Sequence, residues 1–170
     1  MGERWRFRLH RRLIPHASLL AFCRGFGYAF RGMMACIREE RNFRFHLVVA
    51  FHLFAYLPFF ALTRAEVGIL VVLCGLVIAL EAVNSAIERA IDATGIVSPT
   101  AGAAKDIAAG AVLIAAITAV VCGIIMLWQP GAFWAIGRFF LRQPFAVVVQ
   151  LAALAGGGWF VFGWRAGDKI

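Results

Sequence analysis

Charged side chains are scarce in this chain: Asp, Glu, Lys and Arg make up only 15% of its 170 residues, against 62% hydrophobic residues and a mean hydropathy of +0.83. That balance excludes an ordinary soluble domain. The sequence also lacks a GxxxxGK[ST] phosphate loop, a GxGxxG turn, an HRD catalytic loop and an HExxH zinc helix, which excludes the conventional soluble nucleotide folds and the zinc-helix proteases. Its four cysteines, Cys23, Cys36, Cys74 and Cys122, form no CxxC pair, so small packing residues are expected rather than a redox or metal centre. There is no convincing internal repeat. No cleavable signal is expected either, because an Arg-rich stretch runs to residue 44 before any long apolar run and no small-residue cleavage pattern follows.

What the chain does have is hydrophobic length. Four windows, residues 45–62, 67–91, 107–128 and 145–164, each approach the roughly 20 residues a membrane-spanning helix needs. Upstream, residues 17–37 mix Leu, Phe, Tyr and Met with Arg24, Arg31 and Arg38. Those arginines recur every seven residues and so share a helical face, which suits a basic amphipathic helix at the membrane surface. The expected fold is therefore an all-α integral membrane protein: an N-terminal amphipathic surface helix, three core transmembrane helices and a fourth, appended C-terminal transmembrane helix. Residues 1–16 form a basic tail, residues 17–128 the main membrane domain, and residues 129–170 a linker and the extra helix. Pro130, Gly131 and Gly137 mark the linker.

Residues 1–44 carry ten Arg against Glu3, Glu39 and Glu40. In a chain this apolar, such an arm reads as a positive-inside signal holding the N-terminus in the cytoplasm, not as a nucleic-acid interface. Four spans would then bring residues 92–106 and the C-terminal Arg165 and Lys169 to the same cytoplasmic side, with Arg138 and Arg142 on the far side. In the third span Ala111, Ala115, Ala119 and Gly123 form a small-residue ladder, which lets another helix, of the same or another subunit, approach closely.

Only the second window has formal charges in its interior. Glu81, Asn84, Glu88 and Asp92 sit at offsets of three, seven and eleven, so about 100° per residue puts all four on one helical face. A carboxylate inside a membrane segment is costly, and its default reading is function, facing a bundle interior and paired with something positive. Glu39 and Glu40 lie just before the first span, and Asp106 beside Lys105 at the start of the third. Such hard oxygen ligands suit Mg²⁺, which typically takes one or two carboxylates together with substrate phosphates; a nearby Lys offers a point charge to phosphate. A third helix beginning at residues 100–102 would aim its positive end at the same place. Structural polar glue between helices is the rival reading of Glu81 and Glu88, and a surface ion pair that of Lys105 with Asp106. A small cation- or proton-coupled transporter would also use intramembrane carboxylates, without a nucleotide site.

The string ExxNSAIExxxD at residues 81–92, followed by AKDIAAGAVL at residues 104–113, resembles the prokaryotic diacylglycerol kinase family of small integral-membrane lipid kinases. The resemblance extends through GYAFRG at residues 27–32 and EERNFRFH at residues 39–46, covering about residues 20–128. It implies a homotrimer with three spans and a surface helix per subunit, in the bacterial cytoplasmic membrane, transferring the γ-phosphate of ATP to a membrane lipid alcohol with Mg²⁺. Carried onto this sequence, it implies that Glu81 is the general base, that Asn84 orients the reacting groups, and that Glu40 and Glu88 ligate magnesium. Arg24, Tyr28, Asp92, Lys105 and Asp106 would serve the nucleotide. Phosphoryl transfer fits such a set, since it needs positioning and charge neutralisation more than covalent help. ERNxxxH at residues 40–46 looks more like the undecaprenol kinase branch than the diacylglycerol branch, which favours a polyprenol acceptor. Two features depart from the pattern. GIVSPTAGAA, at residues 95–104, stands where relatives carry an aromatic–His pair, and residues 129–170 have no counterpart in a three-span chain. The helix expected at 145–164 has no formal charge, so packing rather than chemistry is its expected role, and deleting residues 130–170 is expected to leave activity largely intact.

Overall fold

The computed structural model describes residues 19–164, and every element among them is helical. The chain divides into two compact units, Met1–Gly32 and Met33–Ile170. Helix α1, Leu19–Glu39, contributes residues to both. Within the first unit Phe22, Phe26 and Phe30 recur every fourth residue and are all exposed. This is the apolar stripe expected of a surface helix. Residues 1–16, the basic tail, lie outside the described residues.

In the second unit the chain breaks at Glu40, whose backbone is extended (φ −101°, ψ 110°), and restarts as α2, Arg41–Tyr56. The sequence predicts a first span over residues 45–62, and the structure differs. Pro58 has no N–H to continue a helical ladder, so α2 stops at 16 residues and passes into a 3₁₀ turn, Leu57–Phe59. At 1.5 Å per residue α2 is about 24 Å long. Glu40 at its start meets Arg89 near the end of α3, and Thr63 caps the start of α3. Residues 41–62 therefore run the length of α3 as a helix, a 3₁₀ turn and a short extended stretch rather than as one unbroken helix. Among the described residues three helices are long and apolar enough to cross a membrane: α3, Arg64–Asp92; α4, Pro99–Leu127; and α6, Pro144–Gly158, lengthened by a π-helical turn, Trp159–Gly163.

Local signals set the ends of these helices. Thr63 and Glu66 form a reciprocal capping box, with Thr63 N–H donating to Glu66 Oε2 at 2.7 Å and Glu66 N–H to Thr63 Oγ1 at 3.3 Å. Ser98 caps α4 by accepting from the Ala101 N–H at 3.1 Å, with Pro99 in the first turn. Helix α4 packs chiefly on α3; Val112 and Ala115 are its buried residues, so one rung of the small-residue ladder faces the bundle. All four cysteines are free; Cys36 is buried and Cys23 exposed.

The segment expected as a linker is instead helix α5, Pro130–Arg142. Pro130 occupies its first turn, where a missing N–H costs nothing. Aromatic edges tie α5 to the far end of α2: Phe139 lies 5.4 Å from Phe59 and Phe140 6.4 Å from Tyr56, centroid to centroid. Gln129 Oε1 also accepts from the Ala61 N–H at 3.0 Å. Helix α6 then returns alongside α2, and at Gly157 an added Cβ would meet Val48 Cγ1 at 3.0 Å. Glycine makes that approach easy, since any side chain there would press Val48 back.

Candidate active site

The polar ladder of α3 lies where the sequence pattern puts it. Leu70, Val77, Glu81, Asn84 and Ser85 are the buried residues of the helix; Glu88, one turn on, is half-buried and Asp92 exposed. Burial therefore fades along the face toward the helix end. Asn84 Nδ2 donates to Glu88 Oε1 at 2.8 Å, and Ser85 Oγ donates to the Glu81 main-chain carbonyl at 3.0 Å. The Asn84 Oδ1 is buried without a hydrogen-bond partner. An orphaned acceptor of that kind is costly unless something donates to it or binds it.

The break between α1 and α2 brings a second set of charges to this end of α3. An N-cap side chain would normally fold back onto its own helix. Glu40 makes no such bond and instead accepts from Arg89 Nη2 at 3.0 Å; Glu39 lies 3.4 Å from the same nitrogen. Glu81 stands within electrostatic reach of both Glu40 and Glu88, with Asn42 from the first turn of α2 beside it. Cys36, buried at the end of α1, has its thiol pKa raised by burial, with Arg89 pulling the other way.

Glu40 and Glu88 thus each lie within electrostatic reach of Glu81, and Asn84 is bonded to Glu88. Among the described residues no three His, Cys, Asp or Glu side chains converge closely enough to hold a cation alone. Two carboxylates with the remaining positions left to phosphate and water is the donor set Mg²⁺ favours, and the unpartnered Asn84 oxygen adds a neutral acceptor beside them. Lys105, in the second turn of α4, pairs with Asp92 at the end of α3. That contact closes the short 93–98 connection. Asp106 is exposed and makes no ion pair among the described residues. Arg24 and Tyr28 lie in the other compact unit, where both are exposed and Tyr28 carries the Arg31 guanidinium 4.6 Å above its ring.

The sequence reading missed Arg89. Its signal was present, since a membrane carboxylate calls for a positive partner and Arg89 follows Glu88 directly. The contact spans 49 positions, however, and only the fold closes it. An apolar cavity of about 220 Å³ opens between α2, α3 and α4, lined by Phe45, His46, Cys74, Val77 and Ala119 among others. Val77 and Cys74 are four and seven residues before Glu81, so the cavity lines α3 from about 6 to about 10 Å before that residue.

The family model described as prokaryotic diacylglycerol kinase matches residues 27–127. The undecaprenol kinase of Bacillus subtilis (strain 168) is 37% identical over 110 residues, 64% of this chain and 89% of that protein. A diacylglycerol kinase of Synechocystis sp. is 37% identical over 107 residues, 62% of this chain and 61% of that protein. The diacylglycerol kinase of Escherichia coli (strain K12) is 36% identical over 107 residues, 61% of this chain and 85% of that protein. No solved structure matches significantly. Helices α5 and α6 lie beyond the family match.

Proposed function

The chain belongs to the prokaryotic diacylglycerol kinase family, and from that premise we propose that it transfers the γ-phosphate of ATP, with Mg²⁺, to the hydroxyl of a membrane lipid alcohol, undecaprenol being the favoured acceptor. A transporter needs no nucleotide site and gives way to the kinase reading. One observation carries the reading: Glu40 and Glu88 both lie within electrostatic reach of the buried Glu81, which follows by one turn of α3 the Val77 that lines an apolar cavity.

In this mechanism an acceptor whose chain enters the cavity presents its hydroxyl to Glu81. Glu81 takes the hydroxyl proton as that oxygen attacks the γ-phosphorus; the bond to the bridging oxygen of ADP breaks, and ADP leaves. Asn84, braced by its bond to Glu88, would orient the reacting groups, its free carbonyl oxygen a neutral acceptor beside the carboxylates that would hold the cation. Glu40 and Glu88 would hold the cation, which would neutralise phosphate charge. Lys105 exchanges Asp92 for nucleotide phosphate, with Asp106 beside it, while Arg24 and Tyr28 serve the phosphates and the base. The N-terminus and nucleotide end face the cytoplasm, as the arginine-rich arm favours, and the chain works as a homotrimer in the bacterial cytoplasmic membrane. The ERNxxxH string at residues 40–46 and the similarity to an undecaprenol kinase support the acceptor.

Labelled ATP, Mg²⁺ and a panel of undecaprenol, diacylglycerol and ceramide, offered to the purified protein, test the proposal. Label is expected in undecaprenol monophosphate ahead of the others. Preference for diacylglycerol would move the acceptor and leave the mechanism, whereas label in no lipid would contradict both.

A further inference from the structure

Arg44 is 4% exposed and makes no ion pair among the described residues. A buried guanidinium must spend its charge on other acceptors. Here they are main-chain carbonyls from two helix ends. Nη1 donates to Ile37 O at 3.0 Å and Arg38 O at 3.1 Å, in the last turn of α1; Nη2 donates to Val161 O at 3.1 Å and Trp164 O at 3.4 Å, at the end of the π turn. Unsatisfied carbonyls and the negative end of the helix dipole gather at C-termini, so one cation caps both. Arg44 belongs to the first turn of α2, and its own N–H bonds the Glu40 carbonyl at 3.3 Å. Glu40 is therefore held between the two carbonyls that Arg44 grips and Arg44 itself.

The partner end is built for this contact. A π turn is rare and frequently functional; here the Trp164 N–H bonds Trp159 O at 3.0 Å. The Trp159 indole folds so closely over Gly163 that an added Cβ would lie 2.5 Å from Cδ1. Phe162, from the same turn, has the Arg41 guanidinium 5.9 Å from its ring centroid. Both arginines that flank Asn42 and Phe43 thus meet the terminal turn of α6.

We propose that Arg44 is a positioning residue and α6 part of the active-site scaffold: the π turn, through the Arg44 guanidinium, fixes the hinge that displays Glu40. The inference rests on the reading of Glu40 as a magnesium ligand. The contribution is made by main-chain carbonyls, so the absence of charge on α6 does not make the helix dispensable, contrary to the expectation for deletion of residues 130–170.

The test uses full-length protein in detergent with three substitutions. Arg44→Ala removes the clamp, Arg44→Lys leaves a compact ammonium that cannot fork between two helix ends, and Gly157→Leu pushes α6 off α2 at Val48 while leaving Arg44 and the carbonyls it grips unsubstituted. Amide exchange of the peptide covering residues 37–44 should accelerate in all three. The Mg²⁺ concentration for half-maximal activity should rise about tenfold for Arg44→Ala, as removal of outer-shell support for a metal site does, with turnover at saturating Mg²⁺ largely kept. Gly157→Leu should shift it in the same direction, which guards against an Arg44→Ala protein that fails to fold. Unchanged hinge exchange in Gly157→Leu, or a fall in thermal stability with no change in Mg²⁺ dependence, overturns the proposal. A parent protein with no Mg²⁺-dependent transfer, but with the exchange response intact, would sink the kinase reading and leave the hinge clamp standing.

Discussion

Helices α3 and α6 are both long enough and apolar enough to cross a membrane, yet they differ in what they offer the proposed site. From α3 come side chains: Glu81 and Asn84 buried, Glu88 half-buried, Arg89 reaching back to Glu40. From α6 come carbonyl oxygens, offered at the end of its π turn to the guanidinium of Arg44, and the uncharged ring of Phe162 near Arg41. The same membrane environment that makes a charged side chain conspicuous makes a main-chain contribution invisible in the sequence, because every residue carries a carbonyl.

The comparison breaks most readily at α3. Glu81→Gln keeps the shape of the side chain but cannot accept the acceptor's proton, and loss of a general base costs about 10² to 10⁴ in rate. Turnover should fall by that much while nucleotide binding survives; turnover near the parent's would show that α3 lends structure rather than chemistry. Next in size, Glu40→Ala and Glu88→Ala should each raise the Mg²⁺ requirement steeply, by about 10- to 100-fold if both carboxylates hold the cation. Activity that titrates as in the parent would remove them from the metal. Lys105→Ala should raise the KM for ATP about tenfold, the scale of one charge-assisted hydrogen bond, with turnover little changed. An unaltered KM would return Lys105 to a surface pair with Asp92. Smallest of all, Ser98→Ala loses the cap of α4 and about 1 kcal/mol of stability, read as a lower midpoint of thermal unfolding without any change in Mg²⁺ dependence.

How much was legible follows from which physics each residue obeys. The face shared by Glu81, Asn84, Glu88 and Asp92 could be read because helical periodicity is local and a polar group in an apolar run stands out. The starts of α3 and α4 were read late, at residues 67 and 100–102, because hydropathy does not register the caps Thr63 and Ser98 that begin them at Arg64 and Pro99. Residues 129–144 misled, because Pro130 and two glycines look like breakers when they are counted, whereas proline in a first turn is compatible with a helix start. Pro58 had the opposite effect: it lies inside an apolar window that composition alone extends to residue 62, and it ends α2 early. The grip of Arg89 on Glu40 and of Arg44 on Val161 O, across 49 and 117 positions, depends on helix–helix packing that no local pattern encodes.

The central claim is that carboxylates from the α1–α2 hinge and from α3 share one divalent cation at the nucleotide. Manganese in place of magnesium makes that claim directly visible, by electron paramagnetic resonance of the purified protein with a non-hydrolysable ATP analogue. The account predicts one Mn²⁺ bound per subunit in the parent and in Glu81→Gln, and binding weakened at least about tenfold in Glu40→Ala and in Glu88→Ala. Equal Mn²⁺ affinity in all four proteins would contradict it.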